Sequence, residues 1–254
     1  HHDEIAMKEA KAKVEAEQRA VMIKEVQSVI KHAYKNKIAV ALRSGGHSFS
    51  GYSSCNGENI QLDMKHFDQV HWSDDMKSLT AGTGTFLKNL DAAMFKVDAF
   101  LPHGQCGTVC VGGHLSTCGY SVFCPRSFGL FIDHVVAVTM VIAPTSADAE
   151  AEVVNLVKPD EHAPNKKNDD LWFATLGGSP GNFGVIIDVT VVPKWSGDYL
   201  DSRVYNMPML YTKEKFQRCI DYFAKVNTDG ELAADFNGSC GMIGGNALNL
   251  FDLD

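Results

Sequence analysis

Two kinds of nucleophile stand out in this chain, and both sit among glycines. His47 leaves a Ser-Gly-Gly turn in the stretch ALRSGGHSFSGYSS, Ala41 to Ser54. Cys106, Cys110, Cys118 and Cys124 cluster further on. A neutral imidazole nitrogen and a thiolate can each attack an electron-poor centre. The bland alternative for His47 is a water-facing residue after a turn made by Gly45 and Gly46. For the cysteines the alternative is zinc, but their intervals of 4, 8 and 6 residues lack the Cys-x-x-Cys knuckles of structural zinc sites. Buried thiols, with one cysteine set apart for chemistry, fit the spacing better.

The glycines themselves point to a ligand class. SGGHS follows an apolar strand, VGGHLS lies in a middle region of weak periodicity, and GGSPGNFG precedes the last clear strand. Without a Cβ, backbone N–H groups can approach an anion and adopt positive φ, and successive N–H groups form an anion-binding concavity. Three such stretches in one chain imply a ligand with an extended anionic spine, such as a dinucleotide. No G-x-G-x-x-G joins an early strand to a helix, so the Rossmann arrangement is excluded.

The elements that must position these stretches alternate without a regular βαβ rhythm, which predicts an α+β fold. Asp3–Arg19 reads as a solvated peripheral helix with Glu-Lys pairs at helical spacing. Val26, Val29, Ile30 and Ala33 mark an amphipathic helix, and KIAVAL a buried strand running into the His47 turn. Strands follow around Ile60–Met64 and SLTAGTG, then a helix on Leu87, Leu90 and Met94. Alternation places Val136, Val138, Met140 and Ile142 on one strand face, and Val185, Ile187, Val189 and Val191 on another. Ala149–Asp170 reads as a polar surface excursion. A helix on Phe216, Cys219, Ile220 and Phe223 starts near Thr212 as cap, and the tail DFNGSCGMIGGNALNLFDLD looks strand-like.

Composition removes other classes. The formal charge is -8, and the five arginines are scattered, so no basic face suggests nucleic acid. No apolar run approaches the ~20 residues of a membrane helix. The first residues, HHDEIAMKEAK, lack the apolar core of a signal peptide.

ALRSGGHSFSGYSS, GQCGTVCVGGHLSTCGYS, RSFGLFIDHVVAVTMV and DLWFATLGGSPGNFGVI stand in an order and spacing that resembles the berberine bridge enzyme-like flavoproteins. These belong to the vanillyl-alcohol-oxidase, or PCMH-type FAD-binding, superfamily. The resemblance runs from about Val21 to Pro193. It implies a PCMH-type domain of two small α/β subdomains over 21–194, after a helical extension over 1–20. The start of an antiparallel-sheet substrate domain would occupy 195–254. It further implies FAD joined covalently through His47, with a second, thioether link from Cys106. Arg43, Ser44, Gly45, Gly46 and Ser48 would line the pyrophosphate and flavin, together with Gly112, Gly113, His114, Ser116 and Gly119. Gly181, Asn182, Gly184, Val185 and Ile186 would bring backbone against the nucleotide. The implied reaction is hydride transfer from an alcohol, sugar or secondary metabolite, with O2 as acceptor and H2O2 as product. Secretion is common among such relatives.

Two departures from the family pattern matter. Thr117, Cys118 and Ser121 stand where the family has a run of glycines, and only about 60 residues follow Pro193. The second departure predicts a truncated or shortened relative. It leaves the catalytic base unassigned, with Tyr199, Tyr205, Tyr211 and Tyr222 candidates by residue type alone. Together the departures motivate an alternative: a degenerate flavin-binding module with a binding or assembly role.

Overall fold

The computed structural model describes residues 2–177, 181–203, 205 and 210–230. It opens on α1 (His2–Asn36), one continuous helix where the periodicity suggested two. No glycine or proline lies within that range, so nothing breaks the helix. Ile23, Val26 and Ala33 are buried, while the residues described before Ile23 are mostly exposed. The helix ends at Lys37, whose φ of 56° lets the Ile38 N–H reach back to the Ala33 carbonyl at 2.9 Å.

Then come β1 (Val40–Arg43), β2 (Ile60–Asp63), β3 (Val70–Trp72), β4 (Leu79–Gly82) and α2 (Leu87–Phe95). They are followed by β5 (Ala99–Phe100), α3 (Val111–Ser116), α4 (Pro125–Phe128), β6 (Val135–Ile142) and β7 (Glu152–Val157). The described chain closes with α5 (Lys166–Thr175), β8 (Val185–Val191), β9 (Lys194–Trp195) and α6 (Lys213–Asp229). β1 and β2 pair in parallel, β5 and β9 antiparallel. The main sheet is antiparallel, in the order β3-β4-β8-β6-β7. The α+β class expected from the sequence is the class observed.

Both faces of this sheet are covered. On one, α2 and α3 bury Leu87, Leu90, Met94, Val111 and Leu115 against β4, β6 and β8. Each such side chain contributes about 1.5–3 kcal/mol by leaving water. On the other, Ile23 and Val26 of α1 pack with Met64, Phe67, Val141, Val185 and Ile187.

The expected alternation of β8 is interrupted. Its pairing with β6 slips between Thr139 and Met140, where Asp188 and Ile186 are the partners and Ile187 is passed over. Such a bulge reverses which face the following residues point to. Val185 and Ile187 therefore join the α1 core, and Val189 and Val191 join the α2–α3 core. The same slip turns Asp188 toward α1, where Arg19 Nε donates to its carboxylate at 3.0 Å and a second guanidinium nitrogen also bonds it.

The stretch 149–170 is mostly exposed as expected, but it is not irregular: it holds β7 and the start of α5. Glu152–Val157 forms the edge strand β7, registered on Ala137–Ile142. Only Leu156 is buried there, so acidic neighbours hid a half-covered edge. Asn165 then caps α5, its side chain accepting from the Asn168 N–H. At the other end Thr212 caps α6 as expected, accepting from the Lys215 N–H at 3.1 Å. The strand-like tail lies outside the described residues.

Candidate cofactor-binding site

Thr83, just past β4, ties the glycine stretches together. Its N–H donates to the Ile187 carbonyl and its Oγ1 to the Ile186 carbonyl, both at 3.0 Å. Its own carbonyl accepts the Gly112 N–H at 3.0 Å. The start of β8 and the start of α3 are thus fixed on one residue. The His47 turn lies directly against α3: a Cβ on Gly112 would stand 2.5 Å from Ser44 Oγ, and one on Gly45 would stand 3.0 Å from the Cys110 amide. The third stretch is adjacent too, since a Cβ on Gly181 would meet Leu42 Cδ1 at 3.3 Å. Three segments distant in sequence therefore meet around the end of β1.

Among the residues anticipated as ligands, the open ones form a rim. Arg43, Gly46, His47, Ser48, Cys106, Gly113, Gly181 and Asn182 are exposed. His47 Nε2 stands 3.1 Å from Thr108 Oγ1, which sets the imidazole on the loop that carries Cys106. Gly46 has φ +71°, and a Cβ there would press on the Arg43 guanidinium at 3.1 Å; bare backbone lets that cation fold over the turn. This rim offers a cation, an imidazole, a thiol and uncovered glycine backbone, a donor set that fits a phosphate-bearing aromatic cofactor.

The other anticipated residues build the frame behind the rim. The Gly112 amide is taken by Thr83, and buried Ser116 donates its hydroxyl to the Gly112 carbonyl at 2.8 Å. Gly119 is buried with φ +68°, where a Cβ would collide with Phe131 Cβ at 2.3 Å. Gly184 admits Met140 and the Val141 carbonyl in the same way, while Val185 and Ile186 are buried strand residues. In this group the Gly112 N–H and carbonyl, the Ser116 hydroxyl and the Ile186 carbonyl are already bonded within the protein.

His114 is frame as well. Its Nε2 accepts the Gly104 N–H at 3.1 Å, and its ring meets Phe131 edge-on with centroids 5.6 Å apart. Burial, and then the nearby His103, push its pKa down to about 4, so it is a neutral acceptor. Cys110 is buried, its thiol facing the Gly84 carbonyl at 3.2 Å. Burial, and then the charge of Asp63, raise its pKa to about 11, which removes it as a nucleophile. Cys118, at the family's glycine run, adopts a left-handed φ of 62°.

The tyrosines divide by environment. Tyr199 packs edge-on against Phe100 and Phe128, at 5.8 and 4.9 Å. Tyr211 and Tyr222 contact Phe216 and Phe223 of α6, and Tyr205 is exposed. Among the described residues no three His, Cys, Asp or Glu side chains are placed to hold a metal ion, and no helix is long and apolar enough to cross a membrane. Sequence reasoning missed Thr83 and Thr108. Threonine beside glycine carries no motif, and only the fold shows which carbonyls and rings they meet.

Residues 18–147, half of the chain, match the family described as FAD binding domain. The chain is 34% identical over 168 residues to the FAD-linked oxidoreductase pytB of Aspergillus terreus, covering 66% of this chain and 19% of that protein. It is 34% identical over 179 residues to Berberine bridge enzyme-like 12 of Arabidopsis thaliana, covering 66% and 31%. It superposes on the structure of a glycopeptide hexose oxidase complexed with teicoplanin with a TM-score of 0.57 at 28% identity, over 67% of this chain and 33% of that one. The matched segment thus spans about a fifth to a third of the length of these relatives. With its glycine stretches gathered at one rim, the chain belongs to the PCMH-type FAD-binding family, whose members include the berberine bridge enzyme-like FAD-linked oxidoreductases.

Proposed function

We propose that this chain holds FAD covalently and forms the flavin-binding part of an oxidase acting on an alcohol, sugar or secondary metabolite. In this reading 21–194 is the FAD-binding domain and 195–254 belongs to a substrate-binding domain. The observation that carries it is the 3.1 Å approach of His47 Nε2 to Thr108, two residues from exposed Cys106. That approach sets two nucleophiles on one exposed rim. When bound, FAD would supply a two-electron acceptor for substrate oxidation, with dioxygen as the terminal acceptor and hydrogen peroxide as product.

The chain's own residues hold and orient. His47 and Cys106 would each anchor the flavin ring, Arg43 would face the pyrophosphate, and Gly46, Gly113 and Gly181 would leave backbone open to it. Thr108 would keep the His47 ring turned toward the Cys106 loop. Peptide mapping after acid precipitation tests this. The native chain is expected to keep flavin on the His47 peptide, and His47→Ala to release its flavin into the acid supernatant or to retain only a Cys106 link. A native chain without flavin overturns the reading.

One observation favours a second reading. Cys118 places a side chain at a left-handed position beside Gly177, its Cβ 3.6 Å from where a Gly177 Cβ would be. A side chain at this left-handed position, where the flavoenzymes this chain resembles have glycine, suits a flavin-binding module without turnover. Peroxide formation on a panel of sugars and alcohols separates the two. Flavin-loaded protein that forms none supports the module.

A further inference from the structure

The loop that carries Cys106 is gripped by two histidines of opposite hydrogen-bonding character. Between β5 and α3, the Gly104 peptide is held at both ends: its N–H donates to His114 Nε2 at 3.1 Å, and its carbonyl lies 2.7 Å from His103 Nδ1. The other His103 nitrogen, Nε2, lies 2.7 Å from Asp91 Oδ1 on α2. A carbonyl and a carboxylate are both acceptors, so each His103 nitrogen must donate, and that requires the imidazolium. The two side chains are mostly shielded from water, His103 at 16% and Asp91 at 28% exposure.

We propose that His103 is a positioning residue, whose doubly donating ring, anchored on Asp91, locks the Gly104 peptide and thereby sets the loop carrying Cys106 against the His47 turn. The relevance of that loop to flavin attachment rests on the function proposed above; the lock itself does not. The groups facing the clamp are Asp91 on α2, and His114 on α3 on the far side of the Gly104 peptide. Lys88 on α2 packs its stem on Gly107 and directs its ammonium at the Phe86 ring, 5.4 Å from the centroid. Burial alone would lower the His103 pKa. The Asp91 hydrogen bond, the Gly104 carbonyl and the Asp91 charge together outweigh burial and raise it. A raised histidine contributes fully below its unfolded pKa of about 6.5 and loses that contribution as pH rises through the folded value. His114, held neutral, works in the opposite direction. Its contribution is full above about 6.5 and declines as pH falls toward about 4. The clamp is therefore tightest in between.

Hydrogen exchange of the Gly104–Thr108 amides in the full chain, divided by intrinsic rates, tests this across pH 5–9. In the native protein, protection is expected to fall as pH rises through the His103 titration, followed independently by histidine NMR. Asp91→Asn is expected to speed Gly104 exchange about tenfold, the equivalent of one charge-assisted hydrogen bond. His103→Gln keeps one donor but has no titrating proton, so the alkaline loss should vanish. A native profile flat in pH, a His103 that titrates below 6.5, or a His103→Gln protein that behaves as native overturns the proposal. A chain that binds no flavin overturns only the function proposed above and leaves the exchange result to decide the lock.

Discussion

The two faces of the main sheet handle polar groups in opposite ways. On the α1 face one charge is withdrawn from water: Arg19, its side chain 33% exposed, reaches Asp188, whose side chain is 6% exposed, beside Ile23, Val26 and Ile187. At the α2–α3 end, Arg43, His47 and Cys106 remain open to solvent above a frame whose amides are already bonded. A fixed charge pair stabilises a fold, whereas exposed donors and nucleophiles are useful only to something that arrives later. Substitutions on the first face should therefore change stability, and those on the second should change what the chain holds.

The largest effect is expected from Arg19→Ala, which leaves the Asp188 carboxylate buried without its partner. Removing one member of a buried pair costs about 3 kcal/mol. The denaturation midpoint should drop accordingly, with flavin per folded molecule unchanged. Arg19→Lys should restore part of the loss, because one donor can still reach. Equal stability in Arg19→Ala would place Asp188 in water and collapse the contrast.

Gly112→Ala strikes the seam between frame and rim. The new Cβ would lie 2.5 Å from Ser44 Oγ and 2.8 Å from Thr83 Cβ, both on rigid turns. Overpacking of this kind costs about 2 kcal/mol. Because the strain pushes the His47 turn away from α3, flavin attachment should fall along with the midpoint. Gly113→Ala, with nothing within 4 Å of its Cβ, is the matched control and should leave stability unchanged.

These two variants also mark what could be read before the fold was known. The glycine stretches were legible as one neighbourhood because close backbone approach restricts residue type strongly, and all three meet around the end of β1. Helices such as α2 were legible because Leu87, Leu90 and Met94 repeat at helical spacing. The division of glycines into rim and frame was not legible. Gly112 and Gly113 are neighbours of identical type, and only the Thr83 carbonyl and Ser44 hydroxyl tell them apart. The β8 bulge was equally hidden, since the apparent alternation of Val185, Ile187, Val189 and Val191 carries no sign of where pairing slips. Asp188 was missed for that reason.

A smaller effect, of opposite sign, is expected at Cys118. A non-glycine residue at φ 62° carries roughly 1 kcal/mol of strain that glycine lacks. Cys118→Gly should therefore raise the midpoint by about 1 kcal/mol, partly offset by the greater freedom of its unfolded chain. If the module reading holds because a side chain stands here in place of glycine, the same change should also raise peroxide formation. A stability gain without peroxide would separate strain from function.

The smallest effect on stability should come from His47, the residue proposed to anchor the flavin. His47 is exposed, and its one hydrogen bond is to Thr108 at the surface, so His47→Ala should shift the midpoint by less than about 0.5 kcal/mol when no flavin is bound. The loss should instead be seen in attached flavin, measured on the same folded material by mass. Thr108→Val removes the hydroxyl that orients the ring without touching the nucleophile, so it should slow attachment while leaving the final amount intact. If Thr108→Val abolishes attachment, the ring's aim matters more than its identity. If it has no effect, the imidazole finds the flavin unaided and the 3.1 Å contact is incidental.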